Sequence, residues 1–353
     1  MLLFSIYLIV TTINYANAGT HLDWQFQTFA AQPDNGFVAS LLLSRPTAGL
    51  VLAFENAAPK NNNNGNGNNS LYIDTGTSTP GVTWEASTAP GAPTIRNGGK
   101  LLWTKKTSLL YSSPPSRTQA DSAIISWDNL QGHAVVLFGG ISGKQLRDDT
   151  WVYQVTSAGY YWYEEMIQTN IPKPGKRGGH ALTNVGFDTP FIVMFGGANK
   201  TQVLGDTWLL TAQLVAVVPW FHWVEVGNEV GNKQPKARYL HSMASHASKP
   251  SPNISNNTIQ AVMFGGCVDF KCTNLHSDAW LFSGKRNEYE IMNQVWKELI
   301  PIGNIYPTAR RSHAMAYLGI KVRKVLMFGK RILFILFYLY ISLTIVFFVF
   351  FCL

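Results

Sequence analysis

The chain is short of charge. Only 14% of its 353 residues are Asp, Glu, Lys or Arg, while 13% are aromatic and 30 are glycine. That balance argues against a helical bundle and for a β-rich, turn-rich fold of one large domain or two ordinary ones. Cysteine is scarce as well. Between the apolar ends there are only Cys267 and Cys272, in "GGCVDFKCTN". Two cysteines alone lack the second ligand pair of a structural zinc site. In an oxidising compartment they are expected to form a local disulfide, and two free thiols are the alternative. Gly-x-Ser-x-Gly, His-Glu-x-x-His and a phosphate-binding glycine loop are all missing, which removes the commonest hydrolase, metalloprotease and nucleotide readings. The formal charge is +8, but five basic residues (Lys321, Arg323, Lys324, Lys330, Arg331) gather before the C-terminal tail. No basic stripe interleaved with aromatics stands out elsewhere, so nucleic acid is not an expected partner.

Both ends are apolar. "MLLFSIYLIVTTINYANAGT" has an apolar core followed by Ala16-Asn17-Ala18. Small residues at that spacing fit a signal peptide over 1–18, cleaved before Gly19, although the usual positive first segment is absent. The secretory pathway is then expected, with an extracellular or single-pass membrane location. Four Asn-x-Ser/Thr sequons, at Asn68, Asn199, Asn253 and Asn256, are candidate glycan acceptors. Residues 332–353 form a charge-free run of 22 residues, long enough to cross a bilayer as a helix. Lys330 and Arg331 lie on the side that would be luminal, against the positive-inside tendency. Residues 330–353 therefore carry two readings, a transmembrane tether and an apolar read-through of a repeat sequence.

Between the ends the sequence repeats. Apolar runs stop at Gly139-Gly140, Gly196-Gly197 and Gly265-Gly266. Asp149/Trp151 and Asp206/Trp208 follow nine residues after the second glycine. Asp278/Trp280 follow after twelve, the extra residues falling in the cysteine loop. A second tryptophan comes next (Trp162, Trp223, Trp296), then Pro-x-x-Arg-x-x-His at Pro174/Arg177/His180, Pro235/Arg238/His241 and Pro307/Arg310/His313. Upstream, Trp103, Pro114 and Arg117 keep the spacing, with Ala120 in the histidine's place. A fourth apolar run, "KVLMFGK", has Lys330 where its second glycine should stand.

These five spaced elements, recurring together over residues 101–329, resemble the kelch repeat. The resemblance implies an all-β fold, a kelch-type β-propeller of four-stranded antiparallel blades. About four to six blades are expected, making the propeller incomplete, with the C-terminal apolar run as a helix. Strand-ending glycines permit positive φ and close backbone approach. The Asp before each Trp is expected to accept hydrogen bonds from turn amides, and the tryptophans suit the wedge between sheets. Residues 19–100 read as one or more degenerate blades, with "AGLVLAF" as a strand, Trp84 in "VTWEAS", and an Asn-rich loop over 60–69.

Arg177, Arg238, Arg310, His180, His241 and His313 recur at one place in successive repeats. A catalytic residue is needed once, so all six are assigned to the scaffold. Residues that break the repeat are better enzyme candidates: His133, His222, His246, His276, Asp148-Asp149 and Glu164-Glu165. A minority of kelch-like propellers are enzymes, copper oxidases among them, but no ligand spacing here supports copper. No catalytic, cofactor or metal residue is assigned. The expected function is an interaction scaffold that meets a protein or glycan through the loops that vary between copies: 141–148, 198–205, 246–258 and 267–277.

Overall fold

The computed structural model describes residues 37–44, 49–55, 83–88, 101–106, 113–127, 132–156, 159–165, 171–185, 190–215, 218–227, 233–245, 258–286, 290–301, 307–317, 324–329, 332–337 and 348–349. Among them every regular element is a strand. The segment assigned to a signal peptide, the loop 60–69, and Asn68, Asn253 and Asn256 lie outside the described residues.

The strands form five four-stranded antiparallel sheets. Sheet I holds β1 (Phe37–Ser44), β2 (Gly49–Glu55), β3 (Thr83–Thr88) and β4 (Leu101–Lys106). Sheet II holds β5 (Asp121–Trp127), β6 (Gly132–Phe138), β9 (Thr150–Thr156) and β10 (Gly159–Glu164). A small hairpin, β7 (Ile141–Ser142) and β8 (Gln145–Leu146), stands between its middle strands. Sheet III holds β11 (Ala181–Asn184), β12 (Phe191–Ala198), β13 (Val203–Val215) and β14 (Val218–Glu225). Sheet IV holds β15 (Ser242–Ser245), β16 (Thr258–Phe264), β17 (Ala279–Arg286) and β18 (Ile291–Leu299). Sheet V holds β19 (Ala314–Tyr317), β20 (Lys324–Gly329), β21 (Ile332–Phe337) and β22 (Phe348–Val349).

One sequence expectation needs correction. The tail does not begin as a helix. Ile332–Phe337 pairs antiparallel with Lys324–Gly329, with Gly329 opposite Ile332. An apolar run rich in Ile, Leu and Phe has no period that separates buried strand from helix, and here a partner strand satisfies its backbone. Among the described residues no helix is long and apolar enough to cross a membrane. Leu101–Lys106 pairs with Thr83–Thr88 and completes sheet I.

The sheets pack face to face, with their first strands side by side in the order β1, β5, β11, β15, β19. Between sheets II and III lies a core of Ile125, Val136, Phe138, Ile192, Met194, Leu210, Phe221 and Trp223. Between sheets III and IV the equivalent core includes Phe195, Leu209, Met263, Phe282 and Trp296. A sheet covered on both faces needs apolar residues at successive positions, which is why all eight residues of β12 are buried. Burying a Phe or Ile stabilises the fold by about 1.5–3 kcal/mol.

Candidate functional site

The recurring polar residues are absorbed by the frame. Arg238 is fully buried. Its Nη1 donates to Asp278 Oδ1 at 2.7 Å and to the Gly265 carbonyl at 3.1 Å, Nη2 donates to Asp278 Oδ2 at 2.8 Å, and Nε donates to the Lys236 carbonyl. Arg177 does the same with Asp206 and Gly196, and Arg117 with Asp149 and Gly139. A planar guanidinium with a fork of donors suits this two-oxygen contact. The sequence assigns each Asp to turn amides, but its partners are the guanidinium and an indole. Trp151, Trp208 and Trp280 donate their Nε1–H to Asp149, Asp206 and Asp278. Although burial opposes it, the Arg contact keeps these three carboxylates below the usual carboxylate range.

The paired glycines serve the next sheet. A Cβ on Gly196 would stand 2.5 Å from the Arg238 carbonyl oxygen, and one on Gly265 would stand 2.5 Å from that of Arg310. A Cβ on Gly266 would stand 2.8 Å from His241 Cβ. The N–H groups of Gly140, Gly197 and Gly266 donate to the carbonyls of Arg177, Arg238 and Arg310. So Arg177 and Arg238 each tie their own sheet through the side chain and the preceding sheet through the backbone. His180, His241 and His313 are buried and set their rings edge-on to Phe138, Phe195 and Phe264 of the preceding sheet. Burial, then the neighbouring arginine, lowers His180 to about 3 and His313 to about 4 and pulls His241 down as well. They are neutral packing groups in the folded chain at neutral pH.

Several frame residues leave no signal in the sequence. Gln119, Gly179, Leu240 and Ser312, each just before a first strand, all have positive φ. Gly179 donates to Gln119, Leu240 to Gly179 and Ser312 to Leu240, a line of backbone hydrogen bonds across four repeats. The residue type differs each time, so only the alignment of repeats could have located the position. Trp223 Nε1 reaches Thr150 Oγ1 of sheet II, and Trp296 Nε1 reaches Thr207 Oγ1 of sheet III. Asp121 Oδ2 accepts the Leu182 N–H, clipping β5 to β11, and burial raises its carboxyl to about 7.

The enzyme candidates do not converge. Asp149 belongs to the frame, and Asp148 meets Lys173 at 3.4 Å. His222 stacks on Trp220, with ring centroids 4.4 Å apart. Glu165 is raised by burial, and Glu164 ends β10. The side chain of His133, and His246 altogether, lie outside the described residues. Among the described residues no group of three or more His, Cys, Asp or Glu could hold a metal ion.

The variable loops differ in kind. Residues 198–205 are two strand ends joined by a turn in which Asn199 Oδ1 accepts from the Thr201 and Gln202 amides and the Thr201 hydroxyl. Residues 141–148 contain the β7–β8 hairpin, and 246–257 lie outside the described residues. Residues 267–277 form an ordered loop joined by a Cys267–Cys272 disulfide. The Tyr239 hydroxyl donates to the Phe270 carbonyl, and Asp269 gathers the Lys271 amide and the Thr273 hydroxyl. Val268 on this loop is 42% exposed.

Beside the loop is a groove of about 540 Å³ lined by Lys233, Gln234, Lys236, residues 275–278, Trp280 and Glu298. His276 turns Nδ1 to within 3.8 Å of Asp278 and Nε2 to within 3.4 Å of the Ala237 carbonyl. Burial, then Arg238, lowers its pKa, so it is neutral at neutral pH. The arrangement offers surface ammonium groups, amide and hydroxyl donors and an indole wall, which are means of binding.

No family model and no curated protein matches the chain. Among solved structures, YjhT aligns with 84% of this chain and 72% of its own, at 13% identity and a TM-score of 0.46. A chain from the structure of RAG in complex with one melted and one unmelted RSS aligns with 88% of this chain and 82% of its own. Its identity is also 13%, its TM-score is 0.52, and the likeness is one of fold.

Proposed function

We propose that this chain is an interaction scaffold, a kelch-type β-propeller that presents loops to a protein or glycan partner and carries out no chemistry of its own. It works on the extracellular or luminal side. The observation that carries the reading is a division of labour in sheet IV. Arg238, Asp278, His241 and the glycine pair are consumed in holding sheets together. The inserted loop 267–277 is ordered by its disulfide and hydrogen bonds while keeping exposed side chains. A pre-ordered loop loses little entropy when it binds. The disulfide supports an oxidising compartment, and the side-by-side first strands support the propeller arrangement.

The test exchanges residues 267–277 for the shorter 198–205 segment of sheet III. Wild type and variant are compared on arrays of extracellular proteins and glycans, with thermal melting in parallel. The expected result is a specific binder lost on exchange with melting nearly unchanged. Binding that survives the exchange overturns the loop assignment, and stoichiometric copper in the purified chain overturns the scaffold reading in favour of an oxidase.

A further inference from the structure

We infer that the groove beside the disulfide loop of sheet IV binds an acidic peptide segment of a partner protein. This deepens the scaffold reading and rests on it. Two lysines and two carboxylates, Lys233, Lys236, Asp278 and Glu298, line the groove, and only the buried Arg238 behind Asp278 tips the sum positive. Both Asp278 oxygens are engaged by the Arg238 guanidinium, and one also accepts from Trp280. That carboxylate is neutralised from behind and offers little repulsion. Glu298 meets Lys233 only loosely, at 3.8 Å, and the lysine side chain is 84% exposed. Such a pair is worth little and exchanges readily. Lys236 is exposed as well. Two mobile ammonium groups thus face one weakly held carboxylate, and an incoming carboxylate can take either.

The groove also suits a peptide better than a small free anion. Its volume, about 540 Å³, is that of a pocket for a ligand of many atoms. It is open, with Leu275 in its wall and exposed Val268 on the same loop. An acidic residue beside an apolar one would use both features, the charge steering the encounter and the side chain losing water on contact. The chain's formal charge of +8 acts in the same direction at longer range.

Anisotropy of a fluorescein-labelled oligo-Glu peptide with one central Leu, titrated with the full chain, tests this. A matched peptide with Gln for Glu is the control. The Glu peptide is expected to bind and the Gln peptide not. The double variant Lys233→Glu, Lys236→Glu should weaken binding at least about tenfold, as charge pairs at interfaces do. Lys200→Glu, at an exposed lysine on the turn of sheet III, should leave it unchanged. Melting checks that each variant is folded. Three outcomes overturn the inference: no binding of the Glu peptide, an equal loss from Lys200→Glu, or displacement by inorganic sulfate as effective as by unlabelled peptide. If the loop exchange abolishes partner capture while the Glu peptide fails to bind, the scaffold reading stands and the acidic partner falls.

Discussion

Sheets IV and V are introduced by the same residues, Pro-x-x-Arg-x-x-His, at Pro235/Arg238/His241 and Pro307/Arg310/His313. In sheet IV, Arg238 is fully buried and forks onto Asp278 across the sheet. In sheet V, Arg310 is half-exposed and donates to the carbonyl and hydroxyl of Thr308, two residues away. No Asp-x-Trp follows Gly329 in the sequence, and β21 begins pairing directly opposite Gly329. One motif therefore produces two environments. The arginine's motif places the backbone, while its burial depends on residues some forty positions later in the chain.

The largest test of that difference is Arg238→Ala set against Arg310→Ala. Removing Arg238 leaves the Asp278 carboxylate and the Gly265 carbonyl without their guanidinium. A loss of about 3–5 kcal/mol in urea unfolding is expected, as when one partner of a buried ion pair is deleted. Arg310→Ala should cost under about 1 kcal/mol, the scale of exposed polar contacts. Equal losses would break the comparison.

Gly266→Ala comes next. The new Cβ would stand 2.8 Å from His241 Cβ at a φ of +100°. Overpacking together with the left-handed backbone should cost about 2–4 kcal/mol. The partly buried Gly143 has positive φ but open space where a Cβ would stand, so Gly143→Ala should cost only about 1–2 kcal/mol. The gap between the two, read from melting curves, is the steric share of the glycine pair.

Acid should weaken the fold. His180, His241 and His313 titrate near 6.5 when unfolded and well below that when folded. Their contribution is complete above pH 6.5, and it declines as pH falls because the unfolded chain takes up protons first. Asp149, Asp206 and Asp278, also held low, act in the same direction at lower pH. Asp121, raised to about 7, opposes this by favouring the folded state as pH falls. Melting temperature against pH should decline from 6.5 downward, and His241→Gln and His313→Gln should each flatten the slope. A slope unaffected by either variant would remove the histidines from the account.

The smallest effect concerns the line of left-handed residues. Ser312 is exposed with φ +49°, where Gly179 occupies the same place in sheet III. Ser312→Gly should raise stability by about 1 kcal/mol, because glycine adopts that backbone without the Cβ clash. No gain in chemical denaturation would mean that the strain is not stored there.

The repeat was legible because its residues make the same contacts in each sheet. Gly139 and Gly196 are glycines because the next arginine's carbonyl would stand 2.9 and 2.5 Å from a Cβ there, and Gly140 and Gly197 because Ala120 and His180, which lead into their own sheets, would stand 2.7 and 3.0 Å away. That requirement is steric and admits one residue type, so it marks the sequence. The turn position shared by Gln119, Gly179, Leu240 and Ser312 uses only backbone groups, so any residue that tolerates the strain can occupy it and nothing is written there. The groove beside the disulfide loop is quieter still. Lys233, His276 and Glu298 come from three separate stretches and share no spacing.

Sequence alone determined the apolar runs, the glycine pairs and the recurring positions of the arginines and histidines, since local sterics and periodicity act over a few residues. Tertiary structure decided which carboxylate Arg117, Arg177 and Arg238 hold, that Ile332–Phe337 joins β20 as a strand, and that Lys233, Lys236, Asp278 and Glu298 line one groove. Those outcomes depend on which distant backbones and charges meet, and a one-dimensional pattern does not contain that distance.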